Sequence, residues 1–149
     1  MKLSTKGRYA VRAMIDLAIH AEEGPVARAD ISCRQDISAD YMARLFINLQ
    51  DAGLVRGIKG PGGGYMLMRS PSEISVGDIV RAVEGPIALV SCVEPGGERA
   101  CEYADRCVTR QIWQRASEAI ADVLNGITLE ELSAQACDLG EAFVRKCPG

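Results

Sequence analysis

Ser38-Ala39-Asp40-Tyr41-Met42-Ala43-Arg44-Leu45-Phe46-Ile47-Asn48-Leu49, followed by Leu54-Val55-Arg56-Gly57-Ile58-Lys59, Gly60-Pro61-Gly62-Gly63-Gly64 and Tyr65-Met66-Leu67-Met68, is the stretch whose reading decides the fold. Ser38 is a good N-cap, and Met42, Leu45, Phe46 and Leu49 recur three and four apart, which places them on one face of a helix. Gly53 closes that helix. The two short apolar runs after it, joined by a glycine-rich loop, predict a β-hairpin. Upstream, residues 29–35 predict a short helix, separated from the Ser38 helix by a turn of about four residues. Two helices so joined form a helix-turn-helix, and a hairpin directly after the second helix is a wing. The expected fold is mainly α with a small β wing, a winged helix-turn-helix head.

Outward from that stretch, residues 5–21 carry Ala10, Ala13, Met14, Leu17, Ala18 and Ala21 at helical spacing, and Gly24-Pro25 stops them. Downstream, Ser75 and Asp78 are a capping pair for a helix over 76–84, ended by Gly85-Pro86. Residues 87–107 show no period beyond Val90 and hold Cys92, Cys101 and Cys107, and a structureless loop of this length is usually functional or disordered. Periodicity resumes over 108–124 with Ile112, Ala116, Ala119, Ile120 and Val123. Thr128 and Glu131 then form a capping box for a short last helix with Leu129 and Leu132 inward. The 108–124 stripe exceeds what the head can cover, so it is read as a long dimerisation helix on a twofold axis. The alternative is a helix folded back on its own domain. The expected organisation is a DNA-binding head over 1–85, a sensor loop over 86–107, dimerisation and capping helices over 108–136, and a tail over 137–149.

The chain has 149 residues and is 48% hydrophobic, enough for one compact core with an extension. No run approaches the roughly 20 apolar residues of a membrane span, and no apolar segment follows the charges of the first eight residues, so a soluble, cytoplasmic protein is expected. The net charge of -3 conceals an asymmetry. Residues 1–69 hold ten Lys/Arg against seven Asp/Glu, and residues 70–149 hold seven against thirteen. The basic half is the one suited to phosphate contacts and double-stranded DNA. An enzyme finds little support: there is a single histidine, His20, and no nucleophile elbow, metalloprotease motif or phosphate loop. Six cysteines without a secretion signal point to metal or redox chemistry rather than to a disulfide framework.

Leu3-Ser4-Thr5-Lys6-Gly7-Arg8-Tyr9-Ala10-Val11, Ile37-Ser38 through Tyr41, Ala52-Gly53-Leu54-Val55, the Gly60-Pro61-Gly62-Gly63-Gly64-Tyr65 loop and Gly77-Asp78-Ile79-Val80-Arg81-Ala82-Val83-Glu84-Gly85 together resemble the Rrf-two family of bacterial winged-helix regulators, most of all its IscR-type iron-sulfur branch. The resemblance spans residues 1 to about 132. It implies a 38–52 helix in the major groove and a 60–64 hairpin tip in the adjacent minor groove. Consecutive glycines let the backbone approach phosphates, and Lys59 adds charge beside the groove. The plainer reading of these glycines is a tight turn. The candidate DNA-binding residues are Lys6, Arg8, Ser38, Asp40, Tyr41, Arg44, Asn48, Lys59, Gly60, Pro61, Gly62, Gly63, Gly64 and Tyr65, with Arg12 as a further phosphate clamp. Arg44 is either a reader of guanine or a phosphate or Asp40 ion-pair partner. Asp40, Ala43, Arg44 and Lys59 differ from the better-known IscR pattern of serine, glutamate, glutamine and arginine, so no operator sequence carries over. A dimer would set two such helices about 34 Å apart.

Cys92, Cys101 and Cys107 lack the close Cys pair of zinc knuckles, and soft thiolates on a loop suit an iron-sulfur cluster, 2Fe-2S or 4Fe-4S, which normally takes four ligands. The resemblance implies these three as cluster ligands, with a histidine three residues after the last. Arg110 stands there, and Arg8 stands near where nitric-oxide-sensing relatives carry an acidic ligand, so the fourth ligand is open among Glu102, Asp105, a tail cysteine or a small molecule. His20 is expected at a helix end, Cys33 and Cys137 buried, and Cys147 exposed. The alternative is a cluster-free regulator, responding through its thiols or through a partner enzyme as in the cysteine-metabolism branch.

Overall fold

The computed structural model describes residues 3–140 together with Phe143 and Cys147. Its elements in chain order are α1 (Thr5–Ile19), α2 (Arg28–Gln35), α3 (Ala39–Asp51), β1 (Val55–Ile58), β2 (Gly64–Leu67), α4 (Val76–Glu84), α5 (Val108–Asn125) and α6 (Leu129–Leu139). No helix among the described residues is long and apolar enough to cross a membrane.

The local signals act where the sequence places them. Ser4, Ser38, Ser75 and Thr128 each cap a helix through the side-chain oxygen, and Ser75 with Asp78 completes a reciprocal capping box. Between α2 and α3, Asp36 takes a left-handed conformation at φ 54°, which Asp tolerates better than most side chains. Met42, Leu45, Phe46 and Leu49 of α3 share one buried core with Ala10, Ala13, Met14 and Leu17 of α1 and with Ile31, Leu54, Ile74 and Ile79; α3 packs on α2 and α4, and α4 packs on α1. Strands β1 and β2 pair antiparallel in the register Val55 with Leu67 through Ile58 with Gly64. The second strand runs one residue earlier than the sequence predicts, because Gly64 pairs with Ile58, and Tyr65 also exchanges both backbone hydrogen bonds with Val26, at 3.0 and 2.8 Å. Val26 thus lends the hairpin a third, one-residue strand.

Helix α6 departs from expectation. It packs on α1, buries Leu129 and Ala136 in the head's own core, and is anchored by backbone bonds from Leu129 to Ile74 and from Val76 to Ile127. The packing unit therefore extends beyond residues 1–85. The helix also continues to Leu139, which leaves Cys137 exposed rather than buried.

Candidate nucleic-acid interface and cysteine loop

The outer face of α3 presents Asp40, Arg44 and Ile47 to solvent, with Ala43 and Asn48 half-buried. Lys6, from the first turn of α1, joins Tyr41, Arg44, Leu45, Ile47 and Asn48 in lining one cleft of about 370 Å³. Two helices distant in sequence are thereby set side by side with their cations outward. Arg44 is exposed, and among the described residues it forms no ion pair with Asp40. Ser38 is exposed, but its hydroxyl accepts the Tyr41 N–H at 3.3 Å as the helix cap. Tyr41 is half-buried, edge-on to Tyr9 at 5.7 Å between ring centroids, so its ring packs against the head.

The position of α1 is fixed from two sides. The Glu84 carboxylate at the end of α4 accepts hydrogen bonds from the Ser4 and Gly7 N–H groups, at 3.0 and 2.9 Å, and from the Ser4 hydroxyl. Burial pushes the Glu84 carboxyl up, but these bonds and the charge of Lys6 outweigh it and hold the group below its ordinary value. On the α2 side, Asp16 is fully buried and receives Arg34 in bidentate fashion, with Nη2 at 2.7 Å and Nε at 3.0 Å, while Gln35 Nε2 donates at 2.9 Å. The Asp16 hydrogen bond, partly opposed by burial, raises the Arg34 pKa. Arg12 donates to the Gln35 side chain and backbone carbonyl and lies over the Tyr9 ring, 5.4 Å from its centroid. Arg12 is therefore a brace between α1 and α2, with its Nε and one Nη committed to Gln35 inside the fold. His20 caps the end of α1 with Nδ1 2.9 Å from the Asp16 carbonyl.

In the wing, Lys59, Gly60, Pro61 and Gly62 are exposed, with Gly60 and Gly62 at φ 93° and 73°. Gly64 is required by contact: a Cβ there would fall 2.2 Å from the Val26 carbonyl oxygen. Gly63 is hemmed in likewise by Ile58. These two glycines serve the turn and the third strand, while Gly60, Pro61 and Gly62 form the open tip. Tyr65 is half-buried, its ring stacked on Phe46 at 4.0 Å, and so braces the wing against α3. Lys59 shares a groove with Arg28 and Gln50. Lys6 and Arg8 are both exposed.

The loop from Gly85 to Cys107 is a chain of short 3-10 turns, at Ser91–Val93, Gly97–Ala100 and Ala104–Arg106. It is tied to α5 by a bond from the Leu89 N–H to Ser117 Oγ at 2.9 Å and by one from Arg110 Nε to the Cys92 carbonyl at 3.2 Å. Cys92, Cys101 and Cys107 are half-buried free thiols. The Thr109 hydroxyl, 3.2 Å away, together with the N–H groups and charge at the start of α5, holds the Cys107 thiol below its ordinary value. Among the described residues no three His, Cys, Asp or Glu side chains converge as a metal site. Along α5, Ile112 and Val123 are 55% and 63% exposed, so the stripe is not folded back as a whole onto the head. Cys33 is neither alone nor fully buried, and Cys147 is not simply exposed: the two are joined in a disulfide with Cα atoms 6.0 Å apart.

The sequence reading missed Val26, Glu84 and the Asp16 and Gln35 clamp. Asp16 had a signal, a carboxylate within the apolar stripe of α1, which is tolerated only with a buried partner. Val26 and Glu84 act across long separations and carry none.

A helix pair joined by residues 36–38, with the second helix open on its polar side and a glycine-tipped hairpin beside it, defines a winged helix-turn-helix, DNA-binding transcription regulator. The profile of the Rrf2 family, described as an iron-dependent transcriptional regulator, matches residues 3–135, and the chain belongs to that family. It is similar to the HTH-type transcriptional regulator IscR of Pectobacterium carotovorum subsp. carotovorum, 48% identical over 132 residues that cover 89% of this chain and 79% of that one. The same regulator of Aliivibrio salmonicida is 48% identical over 132 residues, covering 89% and 77%. Among solved structures, CymR, the global cysteine regulator of B. subtilis, matches with a TM-score of 0.74 at 39% identity over 91% of this chain and 98% of that one. T. potens IscR matches with a TM-score of 0.73 at 38% identity over 100% and 94%. The chain is an IscR-like transcription regulator and not an enzyme.

Proposed function

We propose that this regulator acts in the cytoplasm as a homodimer that lays α3 in the major groove of DNA and the Gly60-Pro61-Gly62 tip in the minor groove, and that its cysteine loop holds an iron-sulfur cluster whose state sets operator affinity. The observation that carries the DNA reading is the shared cleft of Lys6, Arg44 and Asn48, which puts a phosphate-seeking cation beside a base-reading face. Arg44 is assigned to a guanine edge, worth about 1–3 kcal/mol of discrimination. Lys6, Arg8 and Lys59 are assigned to phosphates. The division of labour is residues 1–85 for DNA, 86–107 for sensing and 108–136 for pairing, with α6 also bracing the head.

A second copy is the partner for α5, because Val108, Ile112 and Val123, 79%, 55% and 63% exposed, recur at helical spacing along 18 residues, or about 27 Å. A uniform apolar stripe of that length is self-complementary about a twofold axis.

For the cluster, the donor chemistry fits: Cys92, Cys101 and Cys107 are free, soft ligands on one loop, and Cys107 favours its thiolate. They would hold the iron, and the bound group would supply a redox-responsive centre. Arg110 occupies the place of the usual histidine and is engaged on the Cys92 carbonyl, so the fourth ligand comes from elsewhere. What this chain's own residues do is couple the loop to α5, through Arg110 and Ser117, so that ordering of the loop bears on how the two heads are spaced.

The likeness to CymR favours a second reading, a cluster-free thiol or partner-enzyme-dependent regulator. An ultraviolet-visible spectrum with iron and sulfide analysis of anaerobically prepared protein separates the two. Brown protein whose affinity for duplexes selected from a random pool changes on cluster loss supports the first reading. Colourless protein with full affinity supports the second. No affinity for duplex at low salt in any state would end both.

A further inference from the structure

Cys33 and Cys147 stand apart from the loop cysteines and have no part in the scheme above. Cys33 lies near the end of α2, between the buried Ser32 and Arg34, whose guanidinium clamps Asp16. Cys147 lies beyond the family match, which ends at residue 135, so the pairing is outside anything the family profile covers. Helix α6 packs along α1, Phe143 rests against the core, and the chain delivers residue 147 to α2, where the Cα separation of 6.0 Å is that of a disulfide. Both residues are half-buried.

We infer that Cys33 and Cys147 are a reversible redox-modification site, oxidised by low-molecular-weight disulfides and separate from the cysteine loop, that fastens the tail to the first helix of the helix-turn-helix. In a reducing compartment such a bond is transient, forming when the thiol pool is oxidised. One protein thiolate attacks a sulfur of the small disulfide, forming a mixed disulfide and releasing one small thiol. The second protein thiolate then displaces the other small thiol. Two protein thiols lose two protons and two electrons, and one small disulfide becomes two thiols.

The bond closes a ring across 114 positions that takes in α3, the wing, α4, α5 and α6, and so removes much of the freedom of the unfolded chain. It leaves the docking surface clear. Among the described residues, neither cysteine lines the Lys6 and Arg44 cleft or the Lys59 groove. Oxidation therefore stabilises the head without covering the face that meets DNA.

The test uses the full chain carrying C92S, C101S and C107S, treated with oxidised glutathione or with dithiothreitol. Non-reducing peptide mapping should join the Cys33 and Cys147 peptides in the first case and separate them in the second. The thermal midpoint should be higher by on the order of 10 °C when oxidised, with duplex affinity unchanged within about twofold. Adding C147S, which leaves α2 intact, should hold the midpoint at its reduced value under both treatments. Cys33 and Cys147 both unjoined after oxidation, a different joined pair such as one with the exposed Cys137, an oxidised midpoint equal to that of the C147S chain, or a tenfold change in affinity would overturn the inference. Mapping the unsubstituted chain gives an independent reading, in which Cys33 joined to Cys147 supports the site and any other partner overturns it.

Discussion

The head that carries Lys6, Arg44 and Lys59 and the loop that carries Cys92, Cys101 and Cys107 are held by opposite means. Behind the first stand a filled core, the buried Asp16 clamp, the Glu84 cap and the Val26 bridge. The second has short turns and a few hydrogen bonds to α5, among them those to Ser117, Arg110 and Thr109. In the proposed function the first must match a duplex and gains from being over-determined, whereas the second must answer a signal, and such segments are drawn from the weakly held part of a fold. Rigidity and responsiveness are here assigned to different residues of one small chain.

The largest effect should come from the clamp. Arg34→Ala leaves the fully buried Asp16 carboxylate without its main partner and should cost about 3–5 kcal/mol in urea unfolding. A loss below about 1 kcal/mol would show that the head does not depend on the clamp. Next, Gly64→Ala drives a Cβ to 2.2 Å from the Val26 carbonyl. It should cost about 1–3 kcal/mol through backbone strain and weaken duplex binding by displacing the wing. Wild-type affinity would mean the hairpin tip is not positioned by Val26. On the soft side, Ser117→Ala removes the acceptor for the Leu89 N–H. It should cost about 1 kcal/mol, read as faster amide exchange in the loop while core amides of α1 and α3 stay protected. Faster exchange in both regions would blur the contrast. The smallest effect concerns acid. Because Glu84 titrates below its ordinary 4.5 in the folded chain, its contribution is complete above that pH and is lost as pH falls through the folded value. Glu84→Gln should therefore flatten the acid limb of the stability profile, and an unchanged limb would remove the cap from the account.

What was legible in the sequence follows the same line. The caps at Ser38, Ser75 and Thr128 and the stripe of α3 are local chemistry, and local chemistry is written in neighbouring letters. Arg12 and Asp16 read as a cation near the DNA face and a charge on a helix, and only the approach of α2 makes them a brace and a clamp. The return of α6 onto α1 joins residues more than a hundred positions apart, as does the Cys33 pairing, and no spacing rule reports either. Half of the glycine loop proved to be packing: Gly63 and Gly64 are set by Ile58 and Val26, leaving Gly60, Pro61 and Gly62 as the tip.

The return of α6 has an engineering corollary. Since the backbone re-enters the head at Ile127, bonded to Val76 at the opposite end of α4 from Gly85, the loop and α5 leave the head and return to it across a single helix, held on the way by the Arg81 bond to Asn125 at 2.7 Å. The span to be bridged is about the length of nine helical residues, roughly 14 Å, which about five extended residues cover. A receptor of another chemistry spliced in place of the loop alone, with α5 retained, would give the same reading head a new input.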